Sequence, residues 1–524
     1  MSTLPSSSRS AAFWVLLACG CGWWLVFSLL TGVTLEDTLI TCRYAQNIAA
    51  GNGFVFNPGQ HVLGTTTPLV TLFLALVGTV SGPATIPLAA TLTMATFGVL
   101  TGVVVYSILA ELEYPLLARL LSLPLFFGSR LILVPSVGGM ETPLALFCMA
   151  ASGLALLRRQ PLACLLFSAV LMLTRPDGIV WAALISLAVI WQSRKIPWKA
   201  VFVSIGILLP WLLFAVWYFG SPLPHSVTAK MAIGEAPGMP PRLSLVGLRI
   251  FTTWYLHSIG FPPYSGMSWL WLFVLVLGAI SYLTHASRRA FGMLLVGYVF
   301  LYGLFLYVGR APDFLRYLAP TAWCAVLLGA SGVWTLSCLV SERLHKAGSR
   351  LRMRPEIAIA VVFGVCLVQN YGIVQEHAEL QANENQTRRA IGLWLRDHTP
   401  HDSVVAMEAV GYQAFFSQRT VLDLAGIVSP EVVALKKATK SNAELFFKIV
   451  STLAPDYLVL RSFEVDENRH FHGGQLFETE EQRDFFTRTY RECQRFAAPY
   501  PERWGEMSFL TIYGHSAEGG EACR

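Results

Sequence analysis

Apolar residues run almost without interruption through the first 374 positions, broken only by short polar or basic stretches. A helix that crosses a bilayer needs about 20 mostly apolar residues. Stretches of that kind lie near 11–31, 66–82, 86–110, 115–134, 141–157, 161–175, 177–192, 198–219, 267–284, 291–308, 317–340 and 356–374. The first of them, Ala11 to Thr31, is too long for a signal-peptide core and carries no convincing cleavage site, so it reads as a retained span.

Flanking charge decides how many of these cross. Basic residues collect on cytoplasmic loops. If every stretch crosses from a cytoplasmic N-terminus, Arg158, Arg159, Arg194, Lys195 and Lys199 fall outside and break the rule. If 66–82, which is short and contains Thr, Ser and Gly, lies along the outer surface, these bases and the run from Arg343 to Arg354 all fall inside. The expectation is eleven spans, N-terminus in and C-terminus out, with a first outer loop over 32–85 and a long outer loop over 220–266.

The pattern changes near Gln375. Charged residues make up 13% of the chain, against about 25% in ordinary soluble proteins, yet residues 375–524 hold more than half of them. This predicts a membrane module over 1–374 and an extracytoplasmic α/β domain over 375–524. Strands are expected at 404–407, 421–424 and 457–460, and helices at 386–398 and 443–453. The tail shows no catalytic constellation, so docking an acceptor glycan or supporting the membrane module suits it better than chemistry. Trp394, Tyr500 and Trp504 are of a type that stacks on sugars, though such aromatics are more often core. Net charge is +6, but its bases flank apolar runs, so nucleic acid is not expected. Most of the ten cysteines lie inside apolar runs and suit small core positions; Cys493 and Cys523 would be able to form a disulfide if the tail is exported.

In this topology ionisable groups gather at the outer face. Glu36 and Asp37 follow the first span by a few residues. A carboxylate there suits a base taking a proton from an attacking hydroxyl, a ligand for a divalent cation, or a helix N-terminal charge satisfied by the dipole. Glu141, in Gly138-Gly139-Met140-Glu141-Thr142, either faces the same reaction or begins a helix. Arg175, in Thr174-Arg175-Pro176-Asp177-Gly178, suits a lipid-linked phosphate or a loop contact with Asp177. Arg310 and Arg316, six residues apart, suit a phosphate headgroup or anionic lipid. Ionisable groups beside apolar segments are costly and tend to be functional, and their clustering at one face suits a reaction at the interface.

The run from Glu36 to Leu69 carries a resemblance. Paired acids are followed by Arg43-Tyr44-Ala45, then by Gly51-Asn52-Gly53-Phe54-Val55-Phe56-Asn57-Pro58-Gly59 and the entry Thr66-Thr67-Pro68-Leu69. This resembles the first outer loop of bacterial GT-C glycosyltransferases that use polyprenyl-phosphate sugars, above all the AftB-like terminal arabinofuranosyltransferases. Glu36 departs from that pattern, which has Asp. The segment Asp423–Glu431 and the element Tyr218-Phe219-Gly220 through Leu223-Pro224-His225-Ser226 to Lys230 are also similar. The resemblance implies Asp37 as the base, with Glu36 assisting or binding metal. It implies Glu141 as a further acid, and Arg175, Lys230, Arg316, His225 and Arg310 as donor-phosphate contacts. A divalent metal (Mg, Ca or Mn) at Glu36, Asp37 and Glu141 is compatible with it and not required.

The expected protein is therefore a multi-pass enzyme of the bacterial inner membrane, and its fold class is a GT-C-like polytopic α-helical membrane protein with an α/β tail domain. Its partners are membrane lipid, a polyprenyl-phosphate sugar donor, arabinofuranose first, and an extracytoplasmic glycan or glycolipid acceptor. Mannosyl or aminoarabinosyl transfer stays open within that class. Outside it stand a lipid or polysaccharide transporter, which would place Asp37 or Arg175 at midplane depth, and a membrane-anchored binding protein, which would tolerate loss of both Glu36 and Asp37.

Overall fold

The computed structural model describes residues 6–233, 248–249, 251–252, 255, 267–309, 315–346, 355–465, 476–505, 507–516 and 523. The chain divides into two compact units. One comprises Met1–Leu30, Thr91–Trp211 and Gly238–Val374. The other comprises Thr31–Ala90, Leu212–Pro237 and Gln375–Arg524.

Among its described residues the first unit is built of helices joined by turns. Among the described residues of the chain, six helices are long and apolar enough to cross a membrane, and a seventh span results if the bent pair Leu116–Phe127 and Arg130–Val137 counts as one. Those two helices meet at 56°. Eleven spans are expected from the apolar runs. Thr142–Leu157 and Pro161–Thr174, which follow the runs expected at 141–157 and 161–175, are apolar but shorter than a full span, as is Trp269–Thr284 among the described residues. At 1.5 Å per residue, 16 residues reach about 24 Å, less than the roughly 30 Å of a hydrocarbon core. Pro68–Ser81, expected to lie along the surface, is likewise a short apolar helix. The helix Pro355–Glu384 follows the basic run.

Buried aromatic rings join the helices of this unit. Trp181 meets Tyr298 and Trp323 edge-on, each with centroids 5.1 Å apart. Large apolar side chains such as Trp217, Leu29 and Val368 are exposed along the helices of the chain, as lipid-facing residues are.

In the second unit, the C-terminal segment forms a five-stranded sheet of order β2-β1-β3-β5-β4. The strands are β1 (Val404–Met407), β2 (Thr420–Asp423), β3 (Tyr457–Arg461), β4 (Tyr490–Ala497) and β5 (Phe509–His515). β1 pairs in parallel with β2 and β3, with Val405 opposite Val421 and Tyr457. β5 runs antiparallel to β3 and β4. Ala406, Leu422, Phe446, Leu458, Leu460 and Phe486 form the core. The apolar runs at β1, β2 and β3 are the strands read from the sequence. β4 and β5 were not read from the sequence; in β4 most side chains are exposed and Arg491, Glu492 and Arg495 are charged, as on an edge strand. Cys493 and Cys523 are joined by a disulfide.

Candidate functional site

The first outer loop begins with the helix Glu36–Ala49. Leu35 leads into it in extended backbone, and the two acids occupy its first turn, where the helix dipole favours negative charge. Glu36 turns onto the start of the helix Val410–Ser417, whose first backbone N–H groups have no partner within their own helix. Its Oε1 accepts the Gly411 N–H and its Oε2 accepts the Tyr412 N–H at 3.2 Å. Around it stand Arg388 and Glu384, ion-paired at 2.5 Å. Burial pushes the Glu36 carboxyl above the usual carboxylate range, against the pull of Arg388 and the two N–H groups. Glu384 is pushed up to about 7 by burial and by Glu36, opposed by Arg388. Asp37, one residue on, is half-buried, and its carbonyl accepts the Thr41 hydroxyl at 3.5 Å.

The rest of the loop is fixed just as closely. Asn57, buried, donates to the Val421 carbonyl at 2.8 Å and accepts the Val421 N–H at 2.9 Å, closing the outer edge of β2 as a neighbouring strand would. Tyr44 donates its hydroxyl to the Val62 carbonyl and accepts the Gly64 N–H. Asn47 holds the carbonyls of Val55 and Phe56. Arg43, buried, reaches Gln46 at 3.2 Å and the Arg419 carbonyl at 3.5 Å. The motif residues of the loop thus shape and seat it.

His225, which starts the helix His225–Ile233, donates its backbone N–H to the Leu63 carbonyl at 2.7 Å. Its Nε2 is buried with no hydrogen-bond partner among the described residues. Burial holds its imidazole below the usual range, so it is neutral near pH 7. Lys230 belongs to the same helix, but its side chain lies outside the described residues.

In the first unit, Arg175 is the centre of a buried cluster. Its Nη1 donates to Glu141 at 3.0 Å and to the Thr142 hydroxyl at 3.1 Å. Its Nε and Nη2 hold both oxygens of Asp177 at 3.0 and 2.9 Å. Tyr302 donates its hydroxyl to Asp177 at 2.7 Å. One guanidinium therefore answers two carboxylates, the loop contact with Asp177 among them. Arg316 lies in the short turn Leu315–Tyr317, 5.5 Å from the Tyr317 ring centroid. Arg310 lies outside the described residues, as do 234–247 and 256–266 of the long outer loop expected over 220–266.

Sequence reading did not single out Tyr302, Gly411 or Tyr412. Tyr302 sits in an apolar helix where a tyrosine carries no signal of its own. Gly411-Tyr412 follows Ala409, whose left-handed φ of 63° ends β1's exit and aims the two N–H groups; only the fold brings them to Glu36. Trp504 lies over the Arg388 guanidinium at 4.9 Å and Trp394 stacks on His398. Among the described residues no group of three or more His, Cys, Asp or Glu side chains is placed to hold a metal ion. The expected set fits one poorly: Glu36 is spent on backbone N–H groups and Glu141 on Arg175.

A family model described as a domain of unknown function (DUF8728) matches residues 375–513. Comparison with curated protein sequences finds no match. Among solved structures, ArnT from Cupriavidus metallidurans bound to undecaprenyl phosphate superposes with a TM-score of 0.57 at 12% identity, over 86% of this chain and 94% of that one. Its apo state gives 0.54 at 13% identity over the same shares. The arabinofuranosyltransferase AftD from Mycobacteria gives 0.47 at 15% identity, over 98% of this chain and 40% of AftD. The chain is a multi-pass membrane protein with the fold of ArnT and a C-terminal sheet domain.

Proposed function

We propose that this protein is a GT-C glycosyltransferase that moves a sugar from a polyprenyl-phosphate donor to a hydroxyl of an extracytoplasmic glycan or glycolipid. The observation that carries the reading is the ArnT fold over 86% of the chain, since that structure binds undecaprenyl phosphate. The order of motifs from Glu36 to Leu69 supports it. Arabinofuranose is the first sugar to test, because those motifs are most similar to the AftB-like transferases.

The reaction is a single displacement with inversion. The acceptor oxygen attacks the anomeric carbon and forms the new C–O bond. The bond from that carbon to the phosphate oxygen breaks, and its electron pair leaves with the lipid phosphate. Asp37 takes the acceptor proton. Of the two first-turn acids it is the one assigned this role, because Glu36 is occupied by two backbone N–H groups. Lys230 and Arg316 are assigned to the departing phosphate, with Arg310 and His225 beside them, as cations and donors that offset its growing charge. Arg175 is assigned to organising Glu141 and Asp177. No step is routed through a metal. The tail domain is assigned to the extracytoplasmic side of a bacterial inner membrane, as the basic loops require.

The test is transfer by detergent-purified protein from a short polyprenyl-phosphoryl arabinofuranose to an arabinan oligosaccharide. Wild type is expected to form product, and Asp37→Asn to lose at least about 100-fold in kcat, the usual contribution of a general base. Product from both proteins removes Asp37 from the mechanism. Silence from folded wild type across mannosyl and aminoarabinosyl donors as well overturns the enzyme reading.

A further inference from the structure

Glu36 is an acid beside the assigned base, yet its carboxylate faces the peptide chain. We infer that Glu36 is a positioning residue: seated on the N–H groups of Gly411 and Tyr412, it lets the C-terminal domain set the backbone that carries Asp37. The inference rests on the glycosyltransferase reading and adds a role for the tail domain to it.

Hydrogen bonds that tie residues 34–36 to the segment 381–412 support it. Both Glu36 oxygens accept backbone N–H groups at the start of the helix Val410–Ser417. The Tyr412 hydroxyl donates to the Thr34 carbonyl at 2.9 Å. The Thr34 N–H donates to Gln381 Oε1 at 3.0 Å. Gln381 Nε2 in turn reaches the Tyr412 hydroxyl at 2.9 Å, so the three partners form one network. Residue 37 therefore leaves a stretch of chain whose N–H, carbonyl and carboxylate are all tied down just before it. The approach leaves no room at Gly411, where an added Cβ would stand 2.1 Å from the Glu36 carbonyl oxygen and 2.9 Å from its carboxyl carbon. Real Cβ atoms do not come that close, so any side chain there moves Glu36. Ala409 holds a left-handed φ to start the helix at this point, a conformation that costs a non-glycine residue energy and persists where the surroundings enforce it.

The length of the side chain fits the role. An aspartate at 36 would end about 1.5 Å, one C–C bond, short of the same N–H pair. Placement of a catalytic group to within about an ångström is worth orders of magnitude in rate, so a clasp on the adjacent residue acts on kcat and not on donor binding.

The experiment compares wild type, Glu36→Gln, Gly411→Ala and Asp37→Asn in the transfer assay, with kcat and donor KM followed against pH and each variant's thermal unfolding recorded. Glu36→Gln cannot accept both N–H groups, since one of its amide positions is itself a donor. Glu36→Gln and Gly411→Ala are expected to lower kcat about 10- to 100-fold with donor KM within twofold. Both should keep the acidic limb of the pH profile, which reports the base; Asp37→Asn should flatten it. Gly411→Ala removes no acid, so its agreement with Glu36→Gln separates positioning from chemistry. Loss of the acidic limb in Glu36→Gln would make Glu36 the base and overturn the inference. So would wild-type kcat in Gly411→Ala, or a fall in kcat that tracks unfolding in both variants. An inactive wild type, by contrast, fails the glycosyltransferase reading itself.

Discussion

Arg175 shows how much a single residue's surroundings decide. From the sequence it is a cation in a hairpin, fit for a phosphate; in the fold its guanidinium is buried and shared by Glu141 and Asp177. Removing one partner of a buried ion cluster leaves uncompensated charge and costs about 3–5 kcal/mol. Arg175→Met is therefore expected to lower the unfolding temperature measured in detergent, and Arg175→Lys to restore it only in part, because an ammonium cannot hold Asp177 through two parallel N–H bonds. A raised donor KM with unchanged unfolding would instead return Arg175 to the phosphate. The contact with Asp177, two residues away, was legible as a local alternative. The contact with Glu141 spans 34 residues and that of Asp177 with Tyr302 spans 125; no local pattern encodes them. The same holds for Glu36, whose place in a helix's first turn was readable, whereas its N–H partners lie 375 residues on.

Between elements, small residues set how closely helices meet. A Cβ at Gly278 would lie 1.9 Å from the Leu328 carbonyl oxygen, and one at Gly332 would lie 2.0 Å from that of Val274. The helices Met267–Thr284 and Ala319–Lys346 thus touch backbone to backbone, the packing that small residues permit in membranes. Gly332→Ala must push them apart and is expected to cost about 1–3 kcal/mol, the range for overpacking. Gly297, in the helix Arg289–Val308, has nothing within 4 Å of such a Cβ. Gly297→Ala serves as the control and should leave thermal unfolding unchanged or slightly raised. At this scale the apolar runs revealed most helices and the strands β1, β2 and β3. They also placed helix bounds closely: the runs at 141–157, 161–175 and 267–284 are the helices Thr142–Leu157, Pro161–Thr174 and Met267–Thr284. The charged edge strand β4 carries no apolar alternation to reveal it.

For the molecule as a whole, the proposed orientation puts the tail on the outer, oxidising side, where a disulfide persists. A membrane-impermeant maleimide is expected to label Cys493 and Cys523 on sealed cells only after reduction. Labelling that requires permeabilised membranes would place the tail in the cytoplasm. By itself the sequence determined what depends on composition and order along the chain: a membrane protein, a water-facing segment after Gln375, and a loop whose motifs resemble those of GT-C transferases. Apolar length, charge and turn residues act locally, so they can be read in one dimension. Tertiary structure decided the rest. It gathered Thr31–Ala90, Leu212–Pro237 and Gln375–Arg524 into one compact unit and seated Glu36 on the backbone N–H groups of Gly411 and Tyr412. It also committed Arg175 to Glu141 and Asp177. Buried charges and backbone N–H groups must find partners wherever the fold supplies them, and those partners are far away in sequence.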